Sequence, residues 1–108
     1  MSSVPEISVE ELKRRLDAGD DLVLVDVRSH GEHAIARLEP SILIPLPELP
    51  SRVDELEQDR ELVVYCHHGV RSLSGAVILQ RAGFPRVVSL RGGIDAWSLR
   101  VDPRVPRY

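Results

Sequence analysis

Cys66-His67-His68-Gly69-Val70-Arg71 places the only cysteine of the chain beside two imidazoles, a glycine and a guanidinium. The apolar run Leu62-Val63-Val64-Tyr65 before it reads as a buried strand, and Ser72-Leu73-Ser74-Gly75-Ala76-Val77-Ile78-Leu79 after it reads as a helix. Cys66 therefore stands where a strand ends and a helix begins. There, unpaired backbone N–H groups and the positive end of the helix dipole favour an anion. The thiolate is the nucleophilic form of cysteine, so the loop reads as a cradle for an anionic sulfur. The competing reading of a lone cysteine is a small buried hydrophobe.

The neighbours of Cys66 sharpen the first reading. Gly69 permits a backbone conformation with φ > 0 that turns N–H groups inward. Arg71 opens the helix and either steadies an anion in the loop or forms an ordinary surface ion pair. His67 and His68 could join Cys66 as zinc ligands, but metal sites usually space their ligands by two or more intervening residues. His30 and His33 lie on a separate polar segment and do not complete such a set. The two loop histidines are expected instead to shape the rim and add positive charge or hydrogen bonds near the sulfur. No metal and no organic cofactor is expected.

A second group lies at the end of an earlier strand. Asp26 and Arg28 follow the apolar run Leu22 to Val25, and Glu32 stands four residues beyond Arg28. The favoured reading is an Arg28–Glu32 ion pair that pins the loop. Asp26 either lines the pocket or holds the neighbouring loop by hydrogen bonds.

The remaining segments supply the frame. Ser8-Val9-Glu10-Glu11 has the form of a capping box, with Ile7 and Leu12 as a hydrophobic staple. Val9, Leu12 and Leu16 then share one helical face, which Gly19 ends. Leu22 to Val27 is apolar on both faces, as central parallel strands are. A short polar helix is expected over 29–36 and a strand over 41–44, closed by Pro45. A helix carrying Leu49, Val53 and Leu56 follows, started by Pro50. After the Cys66 unit, Ala82-Gly83 ends the helix and Arg86 to Leu90 forms a last strand. Gly92-Gly93 turns into a short helix through Ile94, Ala96 and Trp97, with Trp97 as a core anchor. The tail, Val101 to Tyr108, carries two prolines and is expected to be extended. Strands alternating with helices imply an α/β fold, a parallel sheet with helices on both faces and ligands at the carboxyl ends of its strands.

Composition sets the outer limits. A length of 108 residues suits a single domain, 1–108. The formal net charge of -3 does not suit a nucleic-acid binder. No apolar run approaches the roughly 20 residues that span a bilayer, so no membrane role is expected. The start Met1-Ser2-Ser3-Val4-Pro5-Glu6 lacks the basic-then-apolar order of a signal peptide, and a cytoplasmic location is the default. One cysteine rules out an internal disulfide and leaves no internal resolving thiol. Whatever Cys66 acquires must be handed to another molecule.

Three of these segments together resemble the rhodanese-like domain family across nearly the whole chain. Leu24-Val25-Asp26-Val27-Arg28 with Glu32 looks like the family's aspartate–valine–arginine element. Val64 through Ser72 is similar to its active-site loop. Leu90-Arg91-Gly92-Gly93-Ile94-Asp95-Ala96-Trp97 is close to its C-terminal Gly-Gly motif. In place of the Gly-His-Ile-Pro-Gly-Ala that often leads to the third strand, this chain has Ala36-Arg37-Leu38-Glu39-Pro40-Ser41.

The resemblance implies a five-stranded, mainly parallel sheet and a sulfurtransferase. Cys66 would take sulfur from thiosulfate or a protein persulfide and hold it as its own persulfide. The N–H groups of His67, His68, Gly69, Val70, Arg71 and Ser72 would surround that sulfur, with Arg71 supplying charge and Asp26 and Arg28 in support. A thiol, cyanide or a sulfur-carrier protein would accept it. The tail is similar to that of rhodanese domains fused to E1-like adenylyltransferases, which sulfurate carrier proteins. Related phosphatases have a loop one residue longer, a wider cradle suited to phosphate. Phosphatase or arsenate reductase activity therefore ranks below sulfur transfer, and a binding module without turnover is the remaining alternative.

Overall fold

The computed structural model describes residues 4–108, so Met1-Ser2-Ser3, which the signal-peptide argument includes, lie outside the described residues. The chain alternates β1 (Glu6–Ile7), α1 (Val9–Asp17), β2 (Leu22–Asp26), α2 (His30–Ile35), β3 (Ile42–Leu43), α3 (Leu49–Arg52), β4 (Glu61–Tyr65), α4 (Arg71–Arg81), β5 (Val87–Leu90) and α5 (Gly93–Arg100). The five strands form one sheet in the order β1-β5-β4-β2-β3, with every pairing parallel. All carboxyl ends therefore face one edge.

Alternation along the central strand β4 divides the core. Leu62, Val64 and Cys66 join a cluster with Leu49, Ala76 and Leu79 from α3 and α4. Val63 and Tyr65 join the opposite cluster with Val9, Leu12, Ile94 and Trp97 from α1 and α5. Helices thus cover both faces, as the doubly apolar strands require. Trp97, 8% exposed, is a core anchor as expected. Among the described residues, no helix is long and apolar enough to cross a membrane.

Several local expectations are corrected. The Ser8 hydroxyl accepts the Glu11 N–H at 3.0 Å, but the Glu11 carboxylate pairs with Arg14. The complete capping box is at α2, where Ser29 Oγ accepts the Glu32 N–H and the Ser29 N–H donates to Glu32 Oε1, both at 3.2 Å. The helix expected through Leu49, Val53 and Leu56 stops at Arg52 and passes into a 3₁₀ turn, Val53–Glu55. The tail is not simply extended. Val101 and Asp102 both donate backbone N–H bonds to the Trp97 carbonyl, and the chain then turns back across the carboxyl edge of the sheet.

Candidate active site

Cys66 follows the last residue of β4, and α4 begins at Arg71. Its thiol is 1% exposed, at the floor of the loop. The backbone N–H of Gly69 reaches Sγ at 3.1 Å and that of Ser72 at 3.3 Å. Of the donors expected from His67 through Ser72, these two meet the sulfur. The Ser72 hydroxyl lies 3.5 Å from Sγ, and Ser89 of β5 donates to that hydroxyl at 2.7 Å. Ser72 and Ser89 are both fully buried. Ser89 was not legible as a site residue, because one serine in a strand looks like ordinary alternation.

Gly69 has φ +97°, a value that L side chains rarely adopt, and its N–H turns inward as expected. Gly93 holds the loop from beneath. There, φ is +61°, and a Cβ would overlap the carbonyl oxygens of Cys66 and His67. Those carbonyls accept N–H bonds from Ile94 at 2.9 Å and Asp95 at 3.1 Å. The start of α5 and the cysteine loop are thus one hydrogen-bonded unit, and Val70 stands out from it into solvent.

Arg71 does not point a free charge at the sulfur. Its guanidinium makes a fork-to-fork pair with Glu32 of α2, Nη1 to Oε1 at 2.7 Å and Nη2 to Oε2 at 2.9 Å. The Arg71 hydrogen bonds hold the Glu32 carboxyl well below the usual carboxylate range, against the opposing effect of burial. The expected Arg28–Glu32 pair is therefore not formed. Arg28 turns to Asp26, donating from Nε to Oδ1 at 2.9 Å and from Nη2 to Oδ2 at 2.7 Å. Both side chains are fully buried. The chain bends at Arg28, whose backbone N–H also donates to Asp26 Oδ1 at 3.0 Å, and the helical spacing of four begins only after the Ser29 cap. Burial alone would raise the Asp26 carboxyl, but Arg28 and His33 lower it below its ordinary value. The His33 Nδ1 lies 2.8 Å from Asp26 Oδ2, so His33, placed apart by the sequence reading, belongs to this support.

Tyr108 joins the two clusters. Its hydroxyl donates to Glu32 Oε2 and accepts from Arg28 Nη1, each at 2.8 Å. Its ring stacks on His67 with centroids 3.9 Å apart and planes 10° apart, and His67 stacks in turn on His68 at 3.9 Å. The three rings wall one side of the loop. Burial, then the neighbouring His68, pushes the His67 imidazole below its ordinary value, and its Nε2 is buried without a hydrogen-bond partner. His67 is thus a stacked wall whose charged form is disfavoured, and its Nε2 makes none of the hydrogen bonds that were the other expectation for it. His67, His68 and Asp95 bring potential ligand atoms within 4.8 Å of one another, a convergence that residue spacing argued against. The two imidazoles meet face to face, however, and Asp95 already receives a 2.8 Å bond from Arg107 Nε.

The segment Ala36 to Ser41, which departs from the family pattern, is tied in from this side. The buried Leu38 donates its N–H to the Tyr65 hydroxyl at 3.2 Å, and that hydroxyl donates to Asp26 Oδ2 at 3.2 Å.

Relatives match this architecture. The chain matches the rhodanese-like domain over residues 8–100. It is 39% identical over 95 residues to a sulfurtransferase of Allochromatium vinosum, covering 88% of this chain and 89% of that protein. It is 38% identical over 104 residues to the probable adenylyltransferase/sulfurtransferase MoeZ of Mycobacterium tuberculosis, covering 94% of this chain but 26% of that protein. A rhodanese-related protein of Thermoplasma volcanium superposes with a TM-score of 0.83 at 30% identity, covering 96% of this chain and 99% of that one. A cysteine loop at the carboxyl edge of a five-stranded parallel sheet, matched along nearly its whole length, makes this chain a member of the rhodanese-like domain family, of the sulfurtransferase kind.

Proposed function

We propose that the protein moves a sulfane sulfur from a donor, thiosulfate or a protein persulfide, to a nucleophilic acceptor through a persulfide on Cys66. The observation that carries this reading is the pair of N–H groups, Gly69 and Ser72, aimed at Sγ within a loop of four residues between Cys66 and Arg71. Donors preset on the sulfur lower the cost of holding negative charge where it develops.

The Cys66 thiolate attacks the outer sulfur of the donor. A new S–S bond forms on Cys66 as the donor's S–S bond breaks, and sulfite or a thiolate leaves with the electron pair. An acceptor thiolate or cyanide then attacks the outer sulfur, and Cys66 leaves as thiolate. The products are a new persulfide or thiocyanate. Each half-reaction is a displacement at sulfur and draws on no further redox partner. Gly69 and Ser72 bind the sulfur in this scheme. His67, His68 and Val70 form its rim, and Asp26 and Arg28 support Arg71 through Tyr108 and Glu32.

With no second cysteine to receive the sulfur, the acceptor is another molecule. A sulfur-carrier protein fits that role, and the likeness to MoeZ, named as both adenylyltransferase and sulfurtransferase, supports it. A cytoplasmic setting keeps thiols reduced and suits such an exchange. Incubation with thiosulfate and cyanide should yield thiocyanate with the wild-type protein and none with Cys66→Ser. Equal thiocyanate formation by both proteins would overturn the proposal.

A further inference from the structure

The charges around Cys66 are already matched. Arg71 is closed on Glu32, Arg28 on Asp26 and Arg107 on Asp95, each by a side-chain bond of 2.9 Å or less. Burial and the neighbouring His68 disfavour the charged form of His67, which stacks between His68 and Tyr108. The Glu32 side chain is 18% exposed and its partner Arg71 38%, so both remain beside the loop entrance. Tyr108 adds a further bond to Glu32, on Oε2, and keeps its carboxylate turned towards Arg71.

Two donor classes make different demands on such a loop. Thiosulfate arrives as a dianion, and attack by the Cys66 thiolate gathers its charge and that of the thiolate at the loop before sulfite leaves. An alkyl persulfide reacts as an electrophile in its protonated form, R–S–SH, which brings no charge of its own. Cys66 attacks its outer sulfur, the S–S bond breaks, R–S⁻ leaves and the proton stays on the transferred sulfur. A loop whose cation is neutralised by a fixed carboxylate serves the second reaction better than the first.

We infer that Glu32, held by Tyr108, is a specificity-determining residue that biases Cys66 towards persulfide donors and against thiosulfate. The inference rests on the sulfur-transfer reading above and names its preferred donor class. Glu32 acts by occupying both outer nitrogens of Arg71, the groups that a thiosulfate oxygen would otherwise use, and by adding its own negative charge.

The test is the rate at which Cys66 gains sulfur, followed by mass spectrometry, with thiosulfate and with an alkyl persulfide that carries no charge on its alkyl group as separate donors. Glu32→Gln keeps a side chain that can cap α2 but removes the charge. It should raise the thiosulfate rate relative to the persulfide rate by about tenfold, the equivalent of one pKa unit of interaction. Most of the change should appear as a lower KM for thiosulfate. Tyr108→Phe, which keeps the ring stack on His67, should shift the ratio in the same direction by a smaller factor and provides the test if Glu32→Gln fails to fold. A merely structural defect slows both donors together and leaves the ratio unchanged, and that result overturns the inference. A fall in the ratio overturns it as well. If neither donor loads the wild-type thiol, the sulfur-transfer reading falls, and this inference falls with it.

Discussion

The Ile94 N–H donates to the Cys66 carbonyl at 2.9 Å, so the helix after the last strand holds the cysteine loop directly by its backbone. This contact explains the glycine at 93, whereas at Gly92, with φ +78°, a Cβ would collide with the Ala96 side chain. At Gly93, a side chain would occupy the space of the Cys66 and His67 carbonyl oxygens, and φ is +61°.

Gly93→Ala should therefore destabilise the fold by about 3 kcal/mol or more, through backbone strain and overlap combined. It should also slow sulfur loading of whatever protein remains folded. Gly31→Ala is the matched control, because there a Cβ would meet only Ser29 Oγ at an ordinary 3.9 Å. Urea unfolding should show that change to be neutral, or stabilising by up to about 1 kcal/mol, in the first turn of α2.

The buried Arg28–Asp26 pair gives a stability prediction with a defined pH dependence. Asp26→Asn leaves the Arg28 charge without its partner and should cost roughly 3–5 kcal/mol. The folded Asp26 carboxyl lies below its ordinary value of 3.8. A group depressed in this way contributes its stability in full above the unfolded value and loses it as pH falls through the folded one. Wild-type stability, followed by denaturant midpoint, should therefore decline below about pH 4, and Asp26→Asn should show a shallower decline there. Equal slopes would contradict the assignment.

Both tyrosines of the chain report on the clasp around Glu32 and Asp26. Burial, first among the causes, pushes the Tyr65 and Tyr108 hydroxyls up to about 12 from 10.0. A phenol raised in the folded state contributes stability below its unfolded value and loses it as pH rises through the folded one. Tyrosinate absorbance of the folded protein should therefore rise with a midpoint near 12, and Tyr108→Phe should halve its amplitude. A transition near 10.0 in the folded protein would mean that Tyr108 stands free of Glu32 and Arg28.

Ser89 is tested through Ser72. Its hydroxyl donates to the Ser72 hydroxyl at 2.7 Å, which orients that group towards Sγ. Ser89→Ala should remove about 1 kcal/mol from this support. That corresponds to roughly a fivefold slower loading of Cys66. An unchanged rate would show that Ser72 needs no orienting partner.

What could be read beforehand follows the range of each interaction. The strand–loop–helix unit around Cys66, the doubly apolar strand β2 and the Gly92-Gly93 turn are contiguous in sequence, and their residue types alone fix their local form. β1 is two residues long and shows no period, so Ile7 reads as a helix staple when it is also an edge strand. The Arg28–Glu32 pairing fails because a helical spacing was applied to residues that straddle the Ser29 cap. The clasp made by Tyr108 joins residues 80 and 76 positions apart in sequence, and no spacing rule reaches that far. His67 looked like a charge-bearing rim group, but the rings stacked on it come from both its neighbour and the tail.

Sulfur transfer through this loop requires that Cys66 carry the sulfur. Intact-mass and peptide mass spectrometry after brief exposure to a persulfide donor should show one added sulfur on Cys66, removed by a thiol reductant and absent in Cys66→Ser. A wild-type protein that stays folded and leaves Cys66 unmodified with both thiosulfate and persulfide donors would rule out sulfur transfer through Cys66.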